Sequence, residues 1–509
     1  MGYIEDFKSE LPEFRQKTLD FYSGDMKMPA YKGYSGKFGS YAQKGGKASM
    51  LRLRMAGGRL TKDRLKYIAD SIKKHNVDRA HFTTCETVQL HNLKPEAIFD
   101  IMEGGIDHNI ITYGGGGDFP RNIMMSPLSG VDPDENFDVV PYVEAAATHL
   151  LSKINATMMP RKLKVCFSTG SANVPHATFR DLGFVARKDG LFDVYSAGGL
   201  GNNPRFGLLV GEAVDPANIL YYIDAMRETF IAYGNYENRG KARSRYIQET
   251  LGEEGYVAAF KEKLTEVLAG DDLTIAVAPI SIAKTGDGEI SDARVIAQKQ
   301  PGLYAVKYHP LGGNPAPEKF GEIYEVIKDM DDVELRISPD ESVYIINLTA
   351  SEAEKVLAVT NDGAKTLFET SVSCVGSSIC QVGLRDSQGL LMALIDAARE
   401  AGIKDGALPQ IHISGCTSSC GTHQTGIMGF NGATKLIDKK PQPAFNFHLG
   451  GCDTQGKEVM GEQIGIMLEK DIPEFIVSLG RMVQESGTDF ETWFADHKDD
   501  VVELAKKYI

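Results

Sequence analysis

A chain of 509 residues is too long to bury around one core and predicts several domains. Its 42% hydrophobic and 24% charged residues describe an ordinary soluble globular protein, and seven cysteines are too few for a disulfide scaffold. A net charge of −14 argues against nucleic acid as a bulk partner. No apolar run is long enough to span a membrane, and the acidic start MGYIEDFKSELPEF lacks the basic opening and apolar stretch of a signal peptide, so a reducing cytoplasm is the expected compartment.

Residues 1–43 are polar, aromatic-spotted and glycine-rich without a clear period, and read as an arm over the body. KASMLRLRM (47–55) alternates apolar residues with Arg52 and Arg54 and predicts a strand, broken at Ala56-Gly57-Gly58. Leu65, Ile68, Ala69 and Ile72 form the stripe of a helix over 61–75. RAHFTTCETVQLHNL (79–93) predicts a strand pair or one long strand, and Pro95 opens a short helix. GDFPRNIMMSPLSG (117–130) leads to a helix near 142–154 and the strand RKLKVCFS. A hairpin through Lys188-Asp189-Gly190, the turn GGLGNNP (198–204) and a long helix at 216–233 follow. Residues 269–300, rich in Gly, Asp and Ser, read as a connection.

The order then repeats. LYAVKYHPLGG echoes MLRLRMAGG, with Gly312-Gly313 standing 255 residues after Gly57-Gly58. At the same offset Glu341-Ser342-Val343 matches Glu86-Thr87-Val88, and Asn347-Leu348 matches Asn92-Leu93. The chain is an internal duplication, and so long a period implies two pseudo-equivalent halves rather than an array. In the second half a helix is expected near 388–401, IHISGC mirrors KLKVCF, and 457–509 read as two or three closing helices.

Four cysteines lie in two glycine-, serine- and threonine-rich loops of that half. Cys374 and Cys380 are spaced C-x5-C, and Cys416 and Cys420 are spaced C-x3-C. Soft thiolates from two loops suit an iron–sulfur cluster or zinc. C-x5-C is wide for a zinc knuckle. Cys85, Cys166 and Cys452 read as small buried residues. Basic residues concentrate in PRKLK (160–164) and NRGKARSR (238–245). Either run alone is most simply a solvated face; together, in an acidic protein, they are able to focus anions into a cleft.

This pattern resembles the siroheme-dependent sulfite and nitrite reductases. The resemblance implies a duplicated α+β fold, with two ferredoxin-like half-domains (44–110 and 301–365) and two larger α/β segments (111–268 and 366–509), preceded by the arm 1–43 and joined by the linker 269–300. It implies a [4Fe–4S] cluster on Cys374, Cys380, Cys416 and Cys420, with Cys420 also the axial ligand of siroheme iron. Arg52, Arg121, Lys162 and Lys164 match the positions that bind the substrate anion. Asn238, Arg239, Lys241, Arg243 and Arg245 match siroheme-carboxylate contacts, and Gln89 and His91 match a motif near the macrocycle. His448 lies in a recurrent segment and is assigned no role. The family's Thr-x-Arg becomes Thr83-Thr84-Cys85 here, so one siroheme carboxylate lacks its usual partner or is met by His81 or Arg79. The loop GCTSSCG likewise departs from the more frequent Gly-Cys-Pro-Asn form.

Sulfite-reducing relatives carry a second Lys where nitrite-reducing ones carry Asn, and Lys164 is the sulfite-like choice; nitrite is the alternative. No nucleotide-binding G-x-G-x-x-G follows a strand, and no further ferredoxin-type cysteine run is present, so an external ferredoxin-type donor is expected. The reading from another class is a cluster- or zinc-stabilised protein without catalysis.

Overall fold

The duplication is built into the backbone. In the computed structural model, which describes residues 2–156 and 158–509, strands Ser49–Leu53 and Val88–Leu93 recur 255 residues later as Tyr304–Tyr308 and Val343–Leu348. Strand Ser40–Ala42 recurs as Val295–Ala297, and helix Pro95–Gly105 restarts at the same offset as Ala350–Val359. Unusual backbone recurs too: φ is 56° at Gly57 and 58° at Gly312, and 55° at Glu86 and 66° at Glu341. A left-handed glutamate is uncommon and must be held in place. Both carboxyls are fully buried, and both accept a backbone N–H at 3.0 Å, Glu86 from Met125 and Glu341 from Ser373. Burial pushes each well above the usual carboxylate range.

Each half contributes a small antiparallel sheet. The first runs Ser40–Ala42, Ser49–Leu53, Val88–Leu93, Ala80–Phe82. The second runs Val295–Ala297, Tyr304–Tyr308, Val343–Leu348, Glu334–Ile337, and is completed by strand Arg59–Leu60 from the first half. Arg59 pins that seam, donating to Glu334 at 3.0 Å and Glu144 at 2.8 Å. One apolar core, including Leu53, Leu65, Ile98, Tyr308, Phe320 and Ile345, runs through both units.

The larger sheets are duplicated as well. Met124–Met125, Val165–Ser168, Leu182–Ala186, Phe192–Ser196 and Leu208–Val214 are joined by two parallel and then two antiparallel pairings. Val372–Ser373, His412–Ser414, Met428–Ile437, Lys440–Leu449 and Glu462–Leu468 follow the same order and directions. Helices Val140–Ser152 and Ser387–Glu400 make the crossovers that the parallel pairings require. One packing constraint persists in both copies. A Cβ at Gly183 would lie 1.9 Å from the Ala177 carbonyl, and one at Gly429 would lie 1.8 Å from that of His423.

Three expectations need correction. Residues 1–43 lie over the body but are not without a period: helix Gly2–Ser23 buries Phe7, Leu11, Phe14 and Thr18 against the first half, and helix Met28–Ser35 follows (Met1 lies outside the described residues). The stripe at 7, 11, 14 and 18 was masked by Pro12 and by the polar Thr18 at its end. The connection 269–300 is not all linker, because Val295–Ala297 is an edge strand. Within 457–509, strand Glu462–Leu468 precedes the two helices Ile472–Ser486 and Phe490–Ala505; its period is obscured by a register shift against its neighbour. Among the described residues no helix is long and apolar enough to cross a membrane.

Two measurements check this account. Phe14→Ala should cost about 3–5 kcal/mol in urea unfolding, whereas Leu19→Ala, at a side chain 46% exposed, should stay within about 0.5 kcal/mol. Gly183→Ala should destabilise by more than about 3 kcal/mol, and Gly190→Ala, where a Cβ meets open space, by only about 1 kcal/mol for its left-handed φ.

Candidate functional site

The first half gathers cations on one loop. Gly115 offers its carbonyl to Arg52 Nη1 at 2.5 Å and to Arg121 Nη1 at 2.9 Å, which sets two guanidinium groups side by side. Arg121 Nη2 also donates to Gly117 O at 2.7 Å. Glycine is required here: a Cβ at Gly115 would lie 2.7 Å from Thr112 O, and one at Gly116 would strike the Tyr41 hydroxyl. Behind them Arg54, fully enclosed, donates to Tyr113 O and Arg121 O, and burial beside Arg121 and Arg52 lowers it to about 9. Gln89, its amide oriented to accept, takes Arg52 Nη2 at 2.9 Å and Nε at 3.2 Å. His91 lies two residues on along the same strand, and so on the same face. It is buried and is held well below the usual histidine range by burial, with His81, Arg79 and Arg52 adding to the effect.

Lys162 and Lys164 flank Leu163, which bridges to Pro120 and brings the PRKLK segment alongside Arg121. Burial and the charges of Arg243, Lys164 and Arg121 drive Lys162 well below the usual lysine range. Lys164 Nζ stands 3.2 Å from Cys85 Sγ, and its backbone N–H donates to Asp181 at 2.8 Å. Asp181, fully buried, also takes Arg243 Nη2 at 2.8 Å. Arg245 donates through Nε and Nη2 to Asn202 O and Asn203 O, which anchors the GGLGNNP turn. Burial, followed by Arg243, lowers Arg245 to about 10.

The run 238–245 therefore divides. Arg243 and Arg245 turn inward. Asn238, Arg239 and Lys241 do not join them, and this corrects the expectation that all five face one ligand. Asn238 caps a turn through the Gly240 N–H, Arg239 pairs with Asp118 at 2.7 Å, and Lys241 pairs with Glu249 at 2.9 Å. All three are exposed. Sequence reasoning missed Asp181 and Asp118. Each is a single residue with no spacing signal and acquires its role only through partners distant in the chain.

The cysteine loops rise from the second half onto this surface. Cys374 follows strand Val372–Ser373, and its sulfur accepts the Gly415 N–H at 3.2 Å and lies 3.2 Å from Ser387 Oγ. A Cβ at Gly415 or Gly376 would meet backbone atoms at 2.6 and 2.7 Å, so these glycines let the two loops close on each other. First-half residues hold the loops: Thr84 Oγ1 donates to Cys420 O at 2.9 Å, Lys44 N–H to Ile379 O at 3.3 Å, and Gln424 exchanges hydrogen bonds with Gly201. Cys420 lies at the loop surface, and its carbonyl is held by Thr84, the residue beside Cys85, whose sulfur meets Lys164, so Cys420 is tied to the segment that carries the cations.

The residues fit both groups. Four thiols on two facing loops, with the Gly415 N–H donating to the Cys374 sulfur at 3.2 Å, are the soft donor set and backbone hydrogen bonding that a [4Fe–4S] cluster takes. Opposite it, Arg121 Nε, Arg243 Nε, Arg245 Nη1 and His91 Nδ1 are buried without a hydrogen-bond partner among the described residues. Nitrogen donors left open beside so few carboxylates suit a polyanionic guest.

Comparison with known proteins agrees. The family described as "Nitrite/Sulfite reductase ferredoxin-like half domain" matches residues 41–104, and "Nitrite and sulphite reductase 4Fe-4S domain" matches 116–268. The latter match falls on the first copy, whose equivalent in the second half carries the cysteines. A ferredoxin–nitrite reductase of Leptolyngbya laminosa is 26% identical over 83% of each chain. A sulfite reductase [ferredoxin] of Mycolicibacterium paratuberculosis is 24% identical over 87% of this chain and 81% of its own. The solved structure of the Mycobacterium tuberculosis NirA protein shares the fold, with a TM-score of 0.79 at 22% identity over 96% of this chain and 94% of that one. Cysteine loops beside buried cations, in a fold shared with the NirA protein, accord with these likenesses: the chain belongs to the nitrite and sulfite reductase family, oxidoreductases that work with a siroheme and a [4Fe–4S] cluster.

Proposed function

We propose that this protein reduces sulfite to sulfide, taking six electrons from an external ferredoxin-type donor. The observation that carries the reading is the set of cations opposite Cys420, with nitrogen donors left free. Cys374, Cys380, Cys416 and Cys420 would hold the cluster, and Cys420 would also hold the siroheme. Arg243, Arg245, Gln89 and His91 would line the macrocycle. When bound, the siroheme supplies a redox iron and, with the cluster, a path for single electrons. Arg52, Arg121, Lys162 and Lys164 would bind and orient the anion. Lys162, its ammonium destabilised by burial and Arg243, is a stronger acid than an ordinary lysine and is suited to give up a proton as oxygen leaves.

Nitrite is the second reading, favoured by one contact. Lys164, which would mark a sulfite enzyme, stands against Cys85 rather than free. Relatives named for each anion accord with both substrates. A ferredoxin-type donor has a landing place beside the cluster loops. Val382 and Leu384 are exposed just beyond Cys380, and Leu436 is exposed near Thr434, which takes Arg385 Nη2 at 2.8 Å. Exposed Lys439 and Lys440 close that hairpin, a local basic edge on an acidic protein.

The purified protein should show the visible absorption of a macrocycle and turn over sulfite, nitrite or both with a chemical reductant. A colourless protein, or a coloured one inert to both anions, would defeat the reading. Arg121→Ala and Lys162→Ala should each lower kcat/KM by about a hundredfold or more, while Lys241→Ala, on the surface, should stay within about twofold.

A further inference from the structure

The turn between strands Ala80–Phe82 and Val88–Leu93 places Cys85 at the junction of the two chemistries. Thr84 touches the carbonyl of Cys420, while the Cys85 sulfur receives Lys164 Nζ at 3.2 Å. The turn is rigid. The Cys85 N–H is taken by Thr83 Oγ1 at 3.3 Å, its carbonyl accepts from Asn122 at 3.3 Å, and Glu86 behind it is locked in left-handed backbone. The groups facing Cys85 are the cations Lys164, Arg180, Arg52 and Arg121, and one carboxyl, Glu86, which burial keeps protonated.

We infer that Cys85 is a specificity-determining residue, the counter-ion that cancels Lys164 within the anion pocket and so opens the pocket to the singly charged nitrite as well as the doubly charged sulfite. The inference rests on the oxyanion-reductase reading above. Burial alone would raise the thiol, but Lys164 and then Arg180 outweigh it and hold Cys85 at about 6. Above that pH the sulfur is a thiolate, and a thiolate paired with an ammonium adds no net charge to the pocket; below it the thiol is neutral and Lys164 is freed. Two substitutions then have unequal effects. Burial pulls Lys164 below the usual lysine range and the Cys85 sulfur pulls it back up; with the thiolate removed, an incoming anion takes over that part, and the dianion does so more strongly than the monoanion. Removing Lys164 lets the thiol regain its proton, so the charge of the pocket is unchanged.

The test uses the holoenzyme with a chemical reductant at pH 8, comparing kcat and KM for sulfite and nitrite, with anion dissociation constants from spectral titration. Cys85→Ser should lower KM and the dissociation constant for sulfite about tenfold with kcat nearly constant and nitrite within about twofold. Cys85→Ala, which also cannot ionise, should do the same and guards against a folding defect in either variant. Lys164→Asn should move the sulfite-to-nitrite ratio less than about twofold by itself, yet reverse the whole gain when combined with Cys85→Ser. A sulfite KM that is unchanged or raised in both Cys85 variants overturns the inference, as does a tenfold collapse of the ratio in Lys164→Asn alone. A holoenzyme that turns over neither anion overturns instead the reading beneath it.

Discussion

Like charges drawn out of water repel, and this molecule assembles Arg52, Arg54, Arg121, Lys162, Lys164, Arg243 and Arg245 within one region. Such crowding is tolerable only if each cation is met by dipoles, by a counter-ion or by a guest. Backbone carbonyls meet most of them: Gly115 takes two guanidinium groups, and Tyr113, Gly117 and Asn202 take others. Asp181 meets Arg243, and Cys85 meets Lys164. What remains are buried N–H groups of Arg121, Arg243 and Arg245 without a hydrogen-bond partner among the described residues. The glycine loop 114–117, the bridge from Leu163 to Pro120 and the turn at Cys85 are all means of holding cations where only a polyanion relieves them.

The duplication explains how the two chemistries came to face each other. Both halves keep the same scaffold, down to the glycine that admits a carbonyl at Gly183 and Gly429 and the left-handed glutamates at Glu86 and Glu341. Those features serve packing, and they fix geometry without fixing function. The loops are free of that constraint. At equivalent edges of the larger sheets one copy presents cations and the other presents thiolates, so a symmetric frame carries an asymmetric site.

Much of this was legible in the amino acids, for identifiable reasons. Gly57-Gly58 and Gly312-Gly313 were readable because positive φ restricts the residue, and the cysteine pairs because thiolate chemistry restricts it further. The N-terminal helix was not, since Pro12 interrupts the spacing of Phe7, Leu11 and Phe14 and the next buried position is the polar Thr18. Nor could the run 238–245 be divided. Arg239 and Arg243 look alike in sequence, and what separates them is Asp118 beside one and Asp181 beside the other, each far away in the chain. Cys85 was visible as a departure from the family pattern. Its partner Lys164 became visible only when the turn and the PRKLK segment were brought together.

The cysteine loops do not stand by themselves. Ile379 and Cys420 offer their carbonyls to Lys44 and Thr84, and Gln381 reaches back to Ala42. Strand Arg59–Leu60 meanwhile ties the first half to the sheet of the second. The cradle for iron and sulfur is therefore shaped by stretches more than three hundred residues apart in the chain, and a truncated second half would lack the shoulders on which its own cysteine loops rest.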